Sequence, residues 1–175
     1  MMKMEQVSKE AFYTRQSITE VNDSTVDFLR GKVDESPRKR VRLCLHGDVE
    51  NPLHEMAIVL GQGSYIRPHK HEGKTESFHI IEGRLSVVFF DDRGGVEKVI
   101  RMGPCKSGLT FFYRLATSCF HAVIPESEYV IFHETTNGPF DPEDTEYAVW
   151  APSEAEEEQA REYVNALLTN HISGD

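Results

Sequence analysis

From Arg40 onward the hydrophobic and polar positions alternate. Val41, Leu43 and Leu45 fall on one side of an extended segment and Arg40, Arg42, Cys44 and His46 on the other, the period-two signature of a strand with one polar face. Short apolar segments bounded by turn residues follow over 57–60, 64–69, 76–81, 85–90, 96–101, 108–115, 121–124 and 129–134. Many short strands predict a sandwich or barrel. Asp92-Arg93-Gly94-Gly95 supplies residues that tolerate positive φ, so 85–90 and 96–101 are expected to pair as a tight hairpin. Two stretches depart from the alternation. The first is polar and mixed, with a short helix expected over 25–32 that ends before Pro37. The second follows Trp150, where Ser153 and Glu156 have the spacing of a capping box and Ala160, Tyr163, Val164, Leu167 and Leu168 share a face, so a helix docked on the barrel is expected to begin there. The expected organisation is one all-β domain with an arm over 1–37, a barrel over 38–150 and a C-terminal helix over 151–175.

Length and charge narrow the class. A chain of 175 residues has room for one ordinary core. With 19 Lys plus Arg against 29 Asp plus Glu, the net charge of −10 argues against nucleic acid or an anionic membrane surface as partner. The apolar runs at 57–60 and 87–90 are too short to span a bilayer, and the start lacks a secretory apolar region, so cytoplasmic residence is expected. Cys44, Cys105 and Cys119 are odd in number and form no CxxC pair, which predicts reduced packing thiols. The acidic run Glu154, Glu156, Glu157 and Glu158 reads as charge placed at a helix start and as a solvated face.

The chemistry concentrates between Gly63 and Gly83. His69 and His71, at i and i+2 of an extended segment, point the same way and can reach one ion. Gly73 lets the chain turn, and Glu76 can add a carboxylate at the start of the next strand. A remote histidine, His121, sits ahead of Ala-Val-Ile at a strand end and completes four protein ligands, leaving open positions for water or substrate. Mixed nitrogen and oxygen ligands accept a divalent transition metal: iron, manganese, zinc, nickel, cobalt or copper.

Gly63, His69, His71, Glu76 and Gly83 resemble, position for position, the first motif of the cupin superfamily, G(X)5HXH(X)3-4E(X)6G. Of the second cupin motif only His121 matches, with Ala116, Ser118 and Pro125 standing where Pro, Gly and Asn are usual. The chain is similar, more narrowly, to the WbuC family of cupin-fold metalloproteins, through 37–40, the strand ending at His46, 138–142 and 148–152. The resemblance implies a double-stranded β-helix, or jelly-roll barrel, with a short N-terminal helical arm and a C-terminal helix. It also implies a homodimer and a sugar or sugar-nucleotide ligand in bacterial surface-polysaccharide (O-antigen type) biosynthesis.

Further pocket candidates follow from phase. If the strand from Gly63 stays regular, Tyr65 and Arg67 share the inward face with His69 and His71. Arg67 then suits a carboxylate or phosphate, or else an outward salt bridge. His79, three residues after Glu76, faces away. His46, Arg40 and Arg42 form either a solvated or dimer-contact face or a second pocket wall. Glu134 continues the phase of Val130 and Phe132 and is either a general acid or base or a buried carboxylate paired with an arginine. The turn 138–142 either covers the pocket or leads to the last helix. Two functions fit: metal-dependent isomerase, epimerase or oxygenase chemistry, or a non-catalytic sugar-binding or regulatory module.

Overall fold

The structure, a computed structural model, describes residues 2–172. Its strands are β1 (Glu5–Gln6), β2 (Ala11–Tyr13), β3 (Arg40–Cys44), β4 (Leu53–Gly61), β5 (His69–His71), β6 (Glu76–Glu82), β7 (Leu85–Phe90), β8 (Val96–Met102), β9 (Phe112–Leu115), β10 (Phe120–Pro125), β11 (Tyr129–Asn137) and β12 (Thr145–Tyr147). Two helices, α1 (Asp23–Glu35) and α2 (Glu157–Leu167), flank them. One sheet has seven strands in the order β1-β2-β3-β4-β11-β6-β9, and the other has five in the order β12-β5-β10-β7-β8. From β4 to β12 the chain changes sheet at every connection except the β7–β8 hairpin. That winding is a double-stranded β-helix, the jelly-roll barrel of the cupin fold.

The inner core lies between the sheets. Leu60, Phe78, Val130 and Phe132 of the larger sheet pack against Val87, Phe89 and Val123 of the smaller. The expected hairpin closes β7 onto β8: Asp91 accepts from the backbone N–H groups of Arg93 and Gly95, at 2.8 and 2.7 Å. Gly94 has φ +89°, and a Cβ there would lie 2.8 Å from the Trp150 ring, so only glycine suits the position.

The first 37 residues are more than an arm. Helix α1 starts on a capping box between Asn22 and Thr25 and runs beyond the expected 25–32 at both ends. Leu29 and Val33 are fully buried against Val41, Leu43 and Val59, so α1 covers the outer face of β3 and β4. Strands β1 and β2, which carry too short a pattern to be read from sequence, extend the same sheet, β2 parallel to β3. At the other end, Ser153 and Glu156 do meet, but the Ser153 N–H and Oγ both donate to Glu156 Oε2 at 2.8 Å. The serine therefore caps no helix N–H, and α2 begins later than expected, at Glu157. Ala160, Leu167 and Ile172 are buried against Phe90, Phe120 and Ile124 of the smaller sheet. Residues 173–175 of the expected C-terminal segment lie outside the described residues.

The expected strand over 64–69 does not form. Residues 64–68 are irregular and pairing resumes only at His69. Pro68 lacks the N–H a ladder needs and restrains Arg67 before it. The inward position passes to Ile66, which packs against the core.

Candidate metal and ligand site

Four side chains expected to act together are brought together by register. His121 on β10 sits directly opposite His69 on β5. His71 lies two residues further along β5, on the same face. The turn that follows, with Gly73 at φ +66°, crosses to the other sheet and presents Glu76 as the first residue of β6. The ring centroids of His69 lie 4.9 Å from those of His71 and 4.8 Å from those of His121, and His71 and His121 are 6.2 Å apart. Glu76 Oε1 is 3.1 Å from His121 Nε2 and accepts a 2.7 Å hydrogen bond from the Tyr113 hydroxyl. Gly83, the last glycine of the segment, has φ +80°, and a Cβ there would lie 2.2 Å from the Tyr129 carbonyl.

Each imidazole is held by its Nδ1. His69 Nδ1 is 2.9 Å from the Arg67 carbonyl, His71 Nδ1 is 3.0 Å from Thr145 Oγ1, and His121 Nδ1 is 3.0 Å from the Cys119 carbonyl. A ring fixed at Nδ1 offers Nε2, the arrangement by which outer partners orient metal-binding histidines. His121 meets acceptors at both nitrogens, an arrangement that favours the doubly protonated ring opposite an anionic Glu76. Burial works against charge on both partners, but their mutual attraction wins: the His121 pKa is raised and that of Glu76 is held down at about 2. His69 goes the other way, lowered to about 4 by burial and by His121. No group of three or more His, Cys, Asp or Glu among the described residues is arranged as it stands to hold a metal ion. The physical reason is visible: the inward donors of His121 and Glu76 are engaged with each other. The donor chemistry, three oriented imidazoles and one carboxylate, suits a divalent transition ion.

These residues close one end of a cavity of about 500 Å³, a volume typical of small-molecule sites. Of the other expected pocket residues, Glu134 and His46 line it, as do Arg40 and Arg42, so the polar face of β3 is an inner wall. Its apolar face is the one covered by α1. The Glu134 side chain makes no hydrogen bond or ion pair among the described residues. It is enclosed by protein yet touches the cavity, and burial followed by the charge of Glu76 lifts its pKa to about 8. His46 stacks on His54 with centroids 4.0 Å apart and planes 4° from parallel, and burial lowers its pKa.

Tyr65 and Arg67 are the exceptions, and their expected place in the pocket is corrected. The Tyr65 hydroxyl donates to the Pro152 carbonyl at 2.7 Å and Arg67 Nε donates to the Ala148 carbonyl at 2.9 Å. The irregular step at Pro68 turns both outward, where they tie down the segment before α2. His79 faces away from the site, as its phase requires, and lies against Phe111 and Phe112. The turn at 138–142 reaches the cavity through Phe140, Asp141 and Pro142. Lys74 fastens it by donating to the Asn137 and Pro139 carbonyls and pairing with Asp144 at 3.1 Å.

Sequence reasoning missed three site residues. Tyr113 steadies Glu76, and its place opposite Phe78 on β6 could have been read only from the β6–β9 register. His54 had no spacing signal, because it joins His46 across β3 and β4. Glu154 was assigned to solvation and helix charge, but it accepts a forked pair of bonds from Arg40, at 2.9 and 2.8 Å, and one from Arg38. Glu10 completes this rim cluster with the same two arginines.

A family model described as a domain of unknown function (DUF6016) matches residues 21–102, from α1 through β8. No curated protein matches. Among solved structures, the chain is similar to a structural-genomics target from Shewanella oneidensis, with 12% identity over 63% of this chain and 75% of that one and a TM-score of 0.49. It is also similar to the Schizosaccharomyces pombe Cnp3 cupin domain, with 14% identity over 57% and 64% and a TM-score of 0.44. Bacillus subtilis oxalate decarboxylase, a protein with Mn(II) centres, matches with 13% identity over 55% of this chain and 24% of that one, at a TM-score of 0.44. No helix among the described residues is long and apolar enough to cross a membrane.

Proposed function

We propose that this chain is a metal-dependent enzyme that moves a proton within a small polyhydroxyl ligand, a sugar or sugar nucleotide, as an isomerase or epimerase does. The observation that carries the reading is the convergence of three Nδ1-anchored histidines and Glu76 on one cavity, with the unpaired Glu134 side chain on its wall. His69, His71, Glu76 and His121 would hold one divalent transition ion, which when bound polarises a carbonyl or hydroxyl oxygen of the ligand.

The remaining work falls to the chain itself. Glu134, which burial and Glu76 lift to about 8 in the metal-free protein, is placed to take a proton from a carbon and return it to a neighbouring one. Such a group favours proton-transfer chemistry over an oxygenase reaction, which asks less of a protein base. Tyr113 holds the Glu76 carboxylate in orientation, and the cavity's apolar residues, Ile58, Ile66 and Phe132 among them, limit water. The resemblance to the WbuC family supports a reaction in surface-polysaccharide synthesis, in the cytoplasm. A homodimer fits the same reading, since β9 ends the larger sheet with Phe111 and Phe112 exposed beside it.

Elemental analysis of protein purified without added metal or chelator tests the reading, beside His71→Ala and Glu76→Ala. About one equivalent of a single transition metal, lost in both variants, is expected. A parent that holds none and takes up none on reconstitution overturns it.

A further inference from the structure

The wall of the cavity formed by β3 and the residues before it carries three arginines, Arg38, Arg40 and Arg42. Two of them are neutralised within the rim cluster by Glu10 and Glu154. Arg42 differs. No carboxylate of the described residues lies within ion-pair distance of its guanidinium; Glu134 feels its charge only at longer range. Lys74, the other cation on the lining, is already taken by Asp144 and two carbonyls. Arg42 is thus the uncompensated cation of the cavity among the described residues, with the planar donor geometry that phosphate and carboxylate fit in pairs.

Its distance from the histidine end sets the shape of what would bind. Arg42 pairs with Ile58 on β4, and Ile58 with Phe132 on β11. Glu76, on the strand beyond, pairs with Thr136, four residues further along β11. Three strand spacings across and four residues along amount to roughly 20 Å between α-carbons in a flat sheet, less in a curled one. Side chains reaching inward shorten that span, and an extended molecule bridges it more readily than a compact acid.

We propose that the cavity takes an elongated ligand whose phosphate or carboxylate is bound by Arg42 while its uncharged polyhydroxyl end lies at the histidine cluster. The second half of this statement rests on the function proposed above; the first rests on Arg42 alone. An anion at Arg42 and a reacting centre at Glu134 then lie on one wall with β4 between their strands, so the charged group positions the ligand without taking part in proton transfer.

Calorimetric titration of the purified protein, its metal content measured beforehand, tests the inference with uridine diphosphate, glucose 6-phosphate, glucuronate and glucose. The native protein is expected to bind one or more of the anionic probes, with binding weakened at least tenfold in Arg42→Ala, partly restored in Arg42→Lys and reduced by salt. Glucose shows no dependence on residue 42. The phosphate and glucuronate arms separate the two anion types. Absence of binding by every anionic probe, or equal binding by the native protein and Arg42→Ala, overturns the inference. Because Arg42 is exposed and outside the core, both variants are expected to melt with the native protein. Metal content keeps the two proposals apart: anion binding that depends on Arg42 in a protein that takes up no metal sinks only the earlier reading, and metal bound with anion binding indifferent to Arg42 sinks only this one.

Discussion

His121 and Glu76, separated by 45 residues in sequence and carried on opposite sheets, meet at 3.1 Å with the Tyr113 hydroxyl on the same carboxylate oxygen. Tyr113 therefore decides which way Glu76 can turn. In Tyr113→Phe the ring still fills its place in the core while the hydrogen bond is lost. Metal retention against a chelator is expected to weaken about 10- to 100-fold, with little change in the melting temperature. Native-like retention would deny Tyr113 this orienting part.

Glu134→Gln separates stability from turnover. The folded pKa of about 8 lies above the ordinary carboxylate value. The unfolded chain therefore releases this proton first as pH rises, and stability falls between about pH 4.5 and 8. Glutamine removes that loss. In chelator-treated protein the variant is expected to melt several degrees higher than native at pH 8.5 and nearly with it at pH 4.5, while turnover of the metal-loaded protein drops on the order of 100-fold or more. Equal melting at both pH values would mean that Glu134 titrates normally.

The rim cluster responds to acid with the opposite sign. Burial raises the pKa of Glu10 and Glu154, but Arg38 and Arg40 more than offset it, so both end up lowered. Their stabilising effect is present above the ordinary carboxylate pKa and is lost as pH falls through the lowered values. Hydrogen exchange of the segments around Glu10 and Glu154 is expected to speed up together below about pH 4.5, and Arg40→Ala should produce the same loosening at pH 7. Loosening of one segment without the other would show that the cluster does not join them.

Helix α1 is held by burial. Leu29→Ala removes a side chain with no exposed surface, and such a truncation costs about 2–5 kcal/mol. Chemical denaturation is expected to report a loss in that range with metal content unchanged. A cost near zero would mean that the helix is a detachable arm.

Where sequence reading succeeded, the determinants were local. His69, His71 and Glu76 lie within one strand and one turn, so spacing alone brings them near each other, and the alternation along 40–46 marks a strand whose two faces have different neighbours. Failures came where the deciding contact was distant or the alternation was interrupted. Pro68 broke the phase that Tyr65 and Arg67 were read from. Glu154 finds Arg40 114 residues away, and no local pattern anticipates that. Strand β4 is buried at Met56, Ala57, Val59 and Leu60, on both of its sides, and only half-exposed at Ile58, so its period could not show that it runs from Leu53 to Gly61 or that His54 faces His46.

Strand β3 divides its duties by parity. Its odd positions, Val41 and Leu43, anchor the helix outside, and its even ones, Arg40, Arg42, Cys44 and the following His46, face the cavity. Substitutions at 42 and 46 can therefore retune what the cavity accepts while the helix keeps its seat, and substitutions at 41 and 43 can repack the exterior while leaving selectivity intact. One short strand lets ligand preference drift between descendants of this chain without eroding the fold that carries it.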